Sequence, residues 1–430
     1  MATSVFQRLP GFRDFPPEEL ALRSHIQDAW RRVSRRYGFQ EYDGPPLEPL
    51  ELYVEKSGAE IVGQLYNFTD KGGRAVAMRP EMTPSLARIL GDRSRGMSKP
   101  IRWFSMPQLF RYERQQRGRL REHYQWNVDI VGEDDVAADA EVLAIAIDGL
   151  RALGLGPDDF RARVSDRRLL REVLVAVGVE EAQMSTTFGI IDKIERMPRE
   201  KARSALLKDA KLGSADTDGL IEMLEAGSLD AVRDRFGDRD AVAAELARLA
   251  QYLGALDAMG LGAYVEFDLR IVRGLAYYTG IVFELFDRKG ELRAICGGGR
   301  YDRLLELVGG EPLPAVGFGM GDVVLGELLA DRGLLPAHER ALDYFVIAVS
   351  PEQRGEVLRI AHTLRDRGHS VSYAFKADQG VTKQLKLAGR EGAKEVLIVG
   401  PDELARGCVV SKHMESGGER EVPLSDLTSE

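Results

Sequence analysis

An arginine-rich loop between two predicted strands holds the residues best suited to chemistry in this sequence. Five of the eleven residues from Arg111 to Arg121 are arginine, and the segment contains no lysine. Arginine presents a planar fork of N–H donors that matches the oxygens of phosphates and carboxylates. This composition favours a binding site for a phosphate-bearing ligand over an ordinary solvated turn.

The predicted strand after the loop presents a row of polar side chains. Its residues alternate with period two, so successive side chains point to opposite faces. One face carries Arg121, His123, Gln125, Asn127 and Asp129, and the other carries Tyr124, Trp126, Val128 and Ile130. A half-exposed sheet with solvated charges would also alternate. The mixture of hydrogen-bonding types instead favours a shaped ligand. Residues 110–114 alternate as well, so we predict two strands joined by the loop 115–120.

A second candidate segment lies between a predicted hairpin and a helix. Residues 65–69 and 75–78 predict two strands around the turn 70–73. The following segment, 78–84, leads into a helix and contains Glu81 and Thr83. Loops of this kind commonly carry binding groups. The alternative for Thr83 is a cap on the helix that follows.

A third segment combines glycines and tyrosines. Strands are predicted over 265–271, 281–286 and 292–296, and the last two are expected to pair around the turn 287–290. Three glycines, 297–299, follow directly, and glycines at a strand end let the backbone approach a ligand closely. The triplet is a weak motif by itself because it lacks the spacing of the nucleotide-binding glycine loops.

Composition restricts the class of protein. Of the 430 residues, 44% are hydrophobic and 30% are charged, which is ordinary for a globular protein. The sequence has no run of about eighteen apolar residues, so it predicts no membrane span. The N-terminal residues lack the apolar core of a signal peptide. The net charge of −9 argues mildly against a nucleic-acid partner, but the local arginine cluster matters more. Cys296 and Cys408 are too few for a disulfide framework or a cysteine zinc site, so we predict no metal site and a cytoplasmic protein.

The order of elements predicts an α+β protein with two domains. The first spans residues 1–330, with a largely antiparallel sheet flanked by helices and an almost wholly helical insertion at about 165–260. Residues 331–342 form a linker. Residues 343–430 alternate between strands and helices, which predicts a small α/β domain with parallel crossovers. No chemistry is assigned to the helical insertion.

Several motifs, in the same order along the chain, resemble those of the histidyl-tRNA synthetase family of class II aminoacyl-tRNA synthetases. The segment FRYERQQRGRLREHYQ (110–125) is similar to the second motif of the class. RGLAYYTG (273–280) and GGGRYD (297–302) resemble the histidine-specific signatures, and MRPEMT (78–83) resembles the amino-group-binding turn. The domain at 343–430 resembles an anticodon-binding domain. The likeness covers nearly the whole chain and implies the class II fold.

The resemblance also implies the reaction. The carboxylate of histidine attacks the α-phosphate of ATP, and the adenylate then passes to the terminal ribose hydroxyl of tRNA(His). Arg111 and Arg273 are the expected catalytic cations. Glu113 is expected beside the adenine, and Arg119 and Arg121 at the outer phosphates, which Mg²⁺ would bridge. Such a transfer depends on positioning and charge stabilisation more than on a protein nucleophile.

The same resemblance implies a pocket for histidine. Glu81 and Thr83 would hold the α-ammonium group, and Asp129, with Gln125 beside it, would accept a hydrogen bond from the imidazole N–H. The ring would lie among tyrosines, for which core packing is the alternative role. The full set expected to bind histidine is Glu81, Thr83, Arg111, Gln125, Asp129, Arg273, Tyr277, Tyr278 and Tyr301.

Two positions depart from the family pattern. Ala276 stands where the signature usually has aspartate, and Val324 stands where the third motif usually has an arginine that contacts ATP. Either another cation substitutes, or ATP binds more weakly, or the chain is a paralogue that no longer aminoacylates. We favour a substitute cation, because the histidine pocket, Arg111 and Arg273 are all retained.

The alternative function is a non-catalytic histidine sensor. The synthetase-like regulatory subunit of ATP phosphoribosyltransferase is of this type, but it generally lacks the C-terminal domain that this chain retains. A synthetase-like module that binds RNA or regulates a kinase would need additional domains.

The resemblance further predicts a homodimer. The segment Gly44-Pro45-Pro46 and the helix before it resemble the first class motif, which builds the subunit interface. In analytical ultracentrifugation at micromolar concentration we expect the sedimentation coefficient of a dimer. A monomer under these conditions would contradict this prediction.

Overall fold

The computed structural model describes residues 6–57, 59–114, 116–273, 278–307, 310–336, 342–376 and 378–428. The chain divides into two compact units, Met1–Pro336 and Ala337–Glu430. The predicted α+β architecture, with a large sheet, flanking helices and a C-terminal α/β domain, is confirmed.

The strands of the first unit are β1 (Gln40–Glu41), β2 (Leu47–Pro49), β3 (Asn67–Thr69), β4 (Ala75–Met78), β5 (Ile101–Ser105), β6 (Gln108–Phe110), β7 (Glu122–Val131), β8 (Phe160–Asp166), β9 (Val265–Phe267), β10 (Ile281–Asp287), β11 (Cys296–Arg300) and β12 (Ala315–Gly321). Its helices are α1 (Pro17–Arg36), α2 (Leu50–Ser57), α3 (Thr83–Arg93), α4 (Val136–Arg151), α5 (Arg167–Ala176), α6 (Glu181–Ile191), α7 (Arg199–Lys208), α8 (Ser214–Ala226), α9 (Leu229–Phe236), α10 (Asp240–Ala258), α11 (Leu304–Leu307) and α12 (Asp322–Asp331).

The large sheet positions the site. Its strand order in the described residues is β1-β5-β7-β12-β11-β10-β8-β9, with β6 paired to β7. Only the outer pairs in this order, β1 with β5 and β8 with β9, are parallel. The central pairs are antiparallel, as the locally paired pattern of the sequence predicted.

The apolar face of the sheet packs on helices. Trp126 of β7 stacks on Trp30 of α1 at a centroid distance of 5.7 Å, and its indole N–H donates to Ser34. A Cβ at Gly149 would lie 2.4 Å from the Trp126 ring, so α4 has glycine where this ring packs. Arg300 is fully buried on β11 and pairs with the buried Asp139 of α4, which supplies the charge that a buried guanidinium requires.

The helical insertion joins two neighbouring parallel strands. Helices α5 to α10 lie between β8 and β9, and α10 packs on α5 and α4. Parallel neighbours need a long crossover, so the insertion is part of the main core.

Two predicted strands are wrong in extent. Strand β9 ends at Phe267 rather than residue 271, because the Asp268 carboxylate accepts the Arg270 backbone N–H and forms a turn. The partner of β10 is β11, residues 296–300, rather than 292–296. The three glycines therefore lie within the strand. Backbone leaves no room for a side chain at two of them: an ideal Cβ would lie 2.5 Å from the Gly317 carbonyl oxygen at Gly298 and 2.6 Å from the Ile281 carbonyl oxygen at Gly299.

The predicted strand over residues 110–114 is also too long. Strand β6 ends at Phe110, and the loop covers residues 111–121. The Arg111 N–H still donates to the Arg121 carbonyl, but the Tyr112 N–H donates to the Gln64 carbonyl instead. The chain is thereby drawn away from β7 after one hydrogen bond.

The second unit has the predicted parallel crossovers. Its elements are β13 (Leu342–Ala348), α13 (Arg354–Asp366), β14 (Val371–Tyr373), α14 (Val381–Arg390), β15 (Ala393–Val399), α15 (Pro401–Ala405), β16 (Cys408–His413), β17 (Glu419–Pro423) and α16 (Leu424–Thr428). Strand β13 pairs in parallel with both β14 and β15, and β16 and β17 extend the sheet in antiparallel fashion.

Candidate active site

Glycines open a cleft in the polar face of the large sheet. Asn127 of β7 lies opposite Gly319 of β12, which lies opposite Gly297 of β11, which lies opposite Glu284 of β10. Residues opposite one another share a face. The two central strands therefore have no side chain in the row between Asn127 and Glu284, and larger groups from elsewhere can lie over them.

Arg273 occupies part of this cleft. A Cβ at Gly297 would lie 1.9 Å from the Arg273 Nη1, so the guanidinium lies directly over the glycine. It pairs with Glu284 and faces the ring of Tyr278 at 5.7 Å. Arg273 has a left-handed backbone, with φ of 56°, a conformation that costs a non-glycine residue about 1 kcal/mol. Such strain is typical of functional sites.

A small cavity of about 70 Å³ lies beside Arg273. Eight of the nine residues predicted to bind histidine line it: Glu81, Thr83, Arg111, Gln125, Asp129, Arg273, Tyr278 and Tyr301. Tyr277, like Ala276, lies outside the described residues. Asn127 also lines the cavity. It shares the polar face of β7 with Gln125 and Asp129, so alternation alone could have identified it.

The carboxylate of Asp129 lies in the wall of this cavity. The Tyr301 hydroxyl donates to it, and a Cβ at Gly317 would lie 2.2 Å from its Oδ1. Burial raises the pKa of Asp129 to about 7, and the hydrogen bond from Tyr301 acts in the opposite direction. The result is a fixed acceptor for an N–H donor that enters the cavity.

Glu81 and Thr83 are carried by a turn that a buried arginine fixes. The Arg79 Nη1 donates to the Asp43 carboxylate at 2.8 Å and to the Gly44 carbonyl at 2.7 Å. Thr83 is the first residue of α3, whereas Met82 is the N-cap and makes no capping hydrogen bond. The alternative role of Thr83 as the cap is therefore not observed, and its side chain lines the cavity.

A larger cavity of about 840 Å³ adjoins the small one. Arg111, Gln125, Arg273, Gly297 and Gly319 line both cavities, so the two predicted catalytic arginines lie where the cavities meet. The Arg111 Nε donates to the Pro80 carbonyl at 3.1 Å, which holds the side chain against the turn that carries Glu81. The volume and the cationic wall suit a nucleotide polyphosphate.

His123 forms a neutral part of the wall of the larger cavity. Burial lowers its pKa to about 3, and the positive charges of Arg111, Arg13 and Arg119 lower it further. The imidazole therefore adds no charge at neutral pH. Its position on the polar face of β7 was visible in the sequence, although no role was assigned to it.

The remaining loop residues differ in their position. Arg119 lines the larger cavity and pairs with Glu113. Neither Glu113 nor Arg121 is among the described residues that line the two cavities. The Arg121 guanidinium stacks over Tyr112 at 4.7 Å, and its Nε donates to the Glu113 carbonyl at 3.2 Å. The structure thus places Glu113 and Arg121 outside the described walls of the two cavities, and their ATP contacts stay a prediction.

The helical insertion contributes to the larger cavity, although no sequence pattern predicted such a role. Asp192, Glu195 and Arg196 line it. Glu195 pairs with Arg163 of β8 and with Arg270 after β9. These contacts join the insertion to both strands that it connects.

The described residues contain no helix long and apolar enough to cross a membrane. Nor do they contain a group of three His, Cys, Asp or Glu side chains that could hold a metal ion.

A largely antiparallel sheet with arginines over its central strands, together with an α/β domain, is the arrangement of the class II aminoacyl-tRNA synthetases. The sequence profile described as histidyl-tRNA synthetase matches residues 11–321, and that of an anticodon binding domain matches residues 343–430. The chain belongs to the histidyl-tRNA synthetase family.

Relatives agree with this assignment. The chain is 44% identical to the histidine–tRNA ligase of Opitutus terrae over 99% of its length and 97% of that protein. It is 42% identical to the chloroplastic/mitochondrial histidine–tRNA ligase of Arabidopsis thaliana over 97% of its length and 85% of that protein. The crystal structure of histidyl-tRNA synthetase from Nostoc sp. PCC 7120 superimposes with a TM-score of 0.82 at 25% identity, covering 99% of this chain and 98% of that one.

The raised pKa of Asp129 predicts a pH dependence of stability. An unfolded aspartate titrates near 3.9, so between about pH 4 and 7 the folded state binds more protons and wild-type stability falls as pH rises. Asp129→Asn removes this loss and keeps an acceptor for Tyr301. We expect the difference in melting temperature, D129N minus wild type, to increase from pH 5 to pH 8. The exposed Asp234→Asn serves as control. A difference in melting temperature that does not change with pH would contradict the raised pKa of Asp129.

Proposed function

We propose a residue-level mechanism for ATP-dependent ligation of histidine to tRNA(His), the activity of the family to which the chain belongs. The observation that carries it is that Arg111 and Arg273 line both cavities. Histidine would occupy the small cavity and ATP the larger one. The amino-acid carboxylate and the α-phosphate would then meet at the common boundary, beside both guanidinium groups.

The small cavity would select the imidazole ring. Asp129 accepts the ring N–H, and the hydroxyl of Tyr301 keeps the carboxylate in place. Glu81 and Thr83 bind the α-ammonium group. A buried acceptor left without its partner is costly, so a side chain of similar size without an N–H donor is rejected.

Adenylate formation needs no protein nucleophile in this arrangement. One carboxylate oxygen of histidine bonds to the α-phosphorus, and the bond from that phosphorus to pyrophosphate breaks. Negative charge on the α-phosphate oxygens is stabilised by Arg111 and Arg273, which are already oriented by Pro80 and Glu284. ATP enters as its Mg²⁺ complex, and Arg119 contacts its outer phosphates.

Transfer to tRNA would use the second unit, which matches an anticodon binding domain. Four basic residues are exposed there and could contact the anticodon stem, although a solvated surface is the alternative: Lys376, Lys383, Lys386 and Arg390.

We further propose a homodimer. A reducing cytoplasm is compatible with the two cysteines, both of which are buried free thiols.

The chain would be a variant of its family, with Val324 in place of the third-motif arginine. A non-catalytic histidine sensor is not favoured, because the full-length relatives are histidine–tRNA ligases and the anticodon-binding domain is present.

Histidine-dependent exchange between ATP and pyrophosphate tests this function. We expect exchange by the wild type and a fall in its rate constant of roughly 100- to 1,000-fold in Arg273→Gln, because one preorganised donor to the transition state is lost. Arg199→Ala, in an exposed ion pair of the insertion, is the matched control. Histidine binding without exchange by the wild type would contradict the ligase and support the sensor.

A further inference from the structure

Arg293 lies at the edge of the larger cavity, on the loop between β10 and β11. Its Nη1 donates to the side-chain oxygen of Gln116 at 2.8 Å. Gln116 lies at the tip of the arginine-rich loop, where its backbone pairs with that of Arg119 in both directions, at 3.1 and 2.9 Å. The Arg293 guanidinium is thus held in place by the arginine-rich loop, whose tip is itself fixed by the two hydrogen bonds between Gln116 and Arg119.

The stem of Arg293 lies next to Gly118 and Val324. An ideal Cβ at Gly118 would lie 3.6 Å from the Cδ of Arg293 and 3.1 Å from a methyl group of Val324. Gly118, Val323 and Val324 line the cavity together with Arg293. Helix α12 thus presents the apolar Val323 and Val324 to this edge of the cavity, and Arg293, on the loop between β10 and β11, supplies positive charge there.

Arg293 differs in its partner from five other arginines that line the larger cavity. Arg119, Arg161, Arg163, Arg270 and Arg273 line the same cavity, and each is paired with a carboxylate. Within the described part of the chain, no carboxylate oxygen lies within 4.0 Å of the Arg293 guanidinium, whose hydrogen-bond partner is a neutral amide. Its charge is thus oriented but not neutralised.

Arg119 lies close enough to both Arg293 and Arg111 to interact with their charges. Burial lowers the pKa of Arg119, and the charges of Arg293 and Arg111 lower it further. The Arg119 guanidinium is thus repelled by the charges of both Arg293 and Arg111. Glu113 offsets part of this repulsion, and an anion with several charges bound among the three arginines would offset the rest.

We propose that Arg293 is a substrate-binding residue that contacts the pyrophosphate portion of ATP at the edge of the larger cavity. This role rests on the proposed function. Arg111 and Arg273 act at the α-phosphate, and Arg119 and Arg293 hold the two outer phosphates that leave as pyrophosphate. The cation that Val324 cannot supply from α12 comes from the loop between β10 and β11.

The exchange assay tests this role, because pyrophosphate is itself a substrate. In Arg293→Ala we expect the KM for ATP and the KM for pyrophosphate each to rise roughly 10- to 100-fold, the value of one charge-assisted hydrogen bond. The KM for histidine should stay within about twofold, because Arg293 does not line the small cavity. Arg293→Lys keeps the charge but loses the fork, and should lie between Arg293→Ala and wild type.

Lys289→Ala is the matched control. It removes a cation from the same loop, but Lys289 pairs with Asp331 and does not line the cavity. Unchanged KM values for ATP and pyrophosphate in Arg293→Ala would overturn the proposal. So would a rise in KM for ATP alone, which would indicate contact with the adenosine portion. Absence of exchange by the wild type would instead reject the ligase function itself, so the two failures are distinguishable.

Discussion

The site depends on the absence of side chains from the centre of one sheet face. Gly297 and Gly319 lie side by side on β11 and β12, and Gly317 lies next to Asp129. Ideal Cβ atoms at these positions would lie 1.9 Å from Arg273, 2.7 Å from Gln125 and 2.2 Å from Asp129. Charged groups can therefore lie deep in a close-packed sheet. The glycines cost backbone entropy on folding, and they give the room in which both cavities meet.

The charges around this opening are arranged in two ways. Arg163, Arg270 and Arg273 are paired with acids, which fixes their orientation and offsets the cost of burial. Burial raises the pKa of Asp129 to about 7, and its hydrogen-bond donor within the described residues is the Tyr301 hydroxyl. An imidazole N–H and a polyphosphate would each supply what the protein leaves incomplete. The ligand-free site thus has a defined shape without full electrostatic compensation.

Local patterns predicted much of this arrangement. Alternation along β7 identified Gln125 and Asp129, because a period of two assigns side chains to faces without further information. Glu81 and Thr83 were found from their place between a strand and a helix. The glycines of β11 were misplaced, since intrinsic preference opposes glycine in a strand and only the neighbouring strands show why it is required. The ATP contacts of Glu113 and Arg121 were predicted from the motif alone. In the structure the Arg121 side chain stacks on Tyr112 and packs closely against Gly11. Arg293 and Glu195 reach the site through tertiary contacts that no local pattern encodes.

The most direct test is the single-turnover rate of histidyl-adenylate formation in Gly297→Ala. The added methyl group must displace the end of a flexible side chain, the Arg273 guanidinium, so the fold should be retained. Gly254→Ala, at an exposed helical position with nothing within 4 Å of the new Cβ, is the control. We predict a rate reduced roughly 100-fold or more in Gly297→Ala and unchanged in Gly254→Ala, with both variants unfolding cooperatively. A wild-type rate in Gly297→Ala would contradict the claim that bare strands position Arg273 for the reaction.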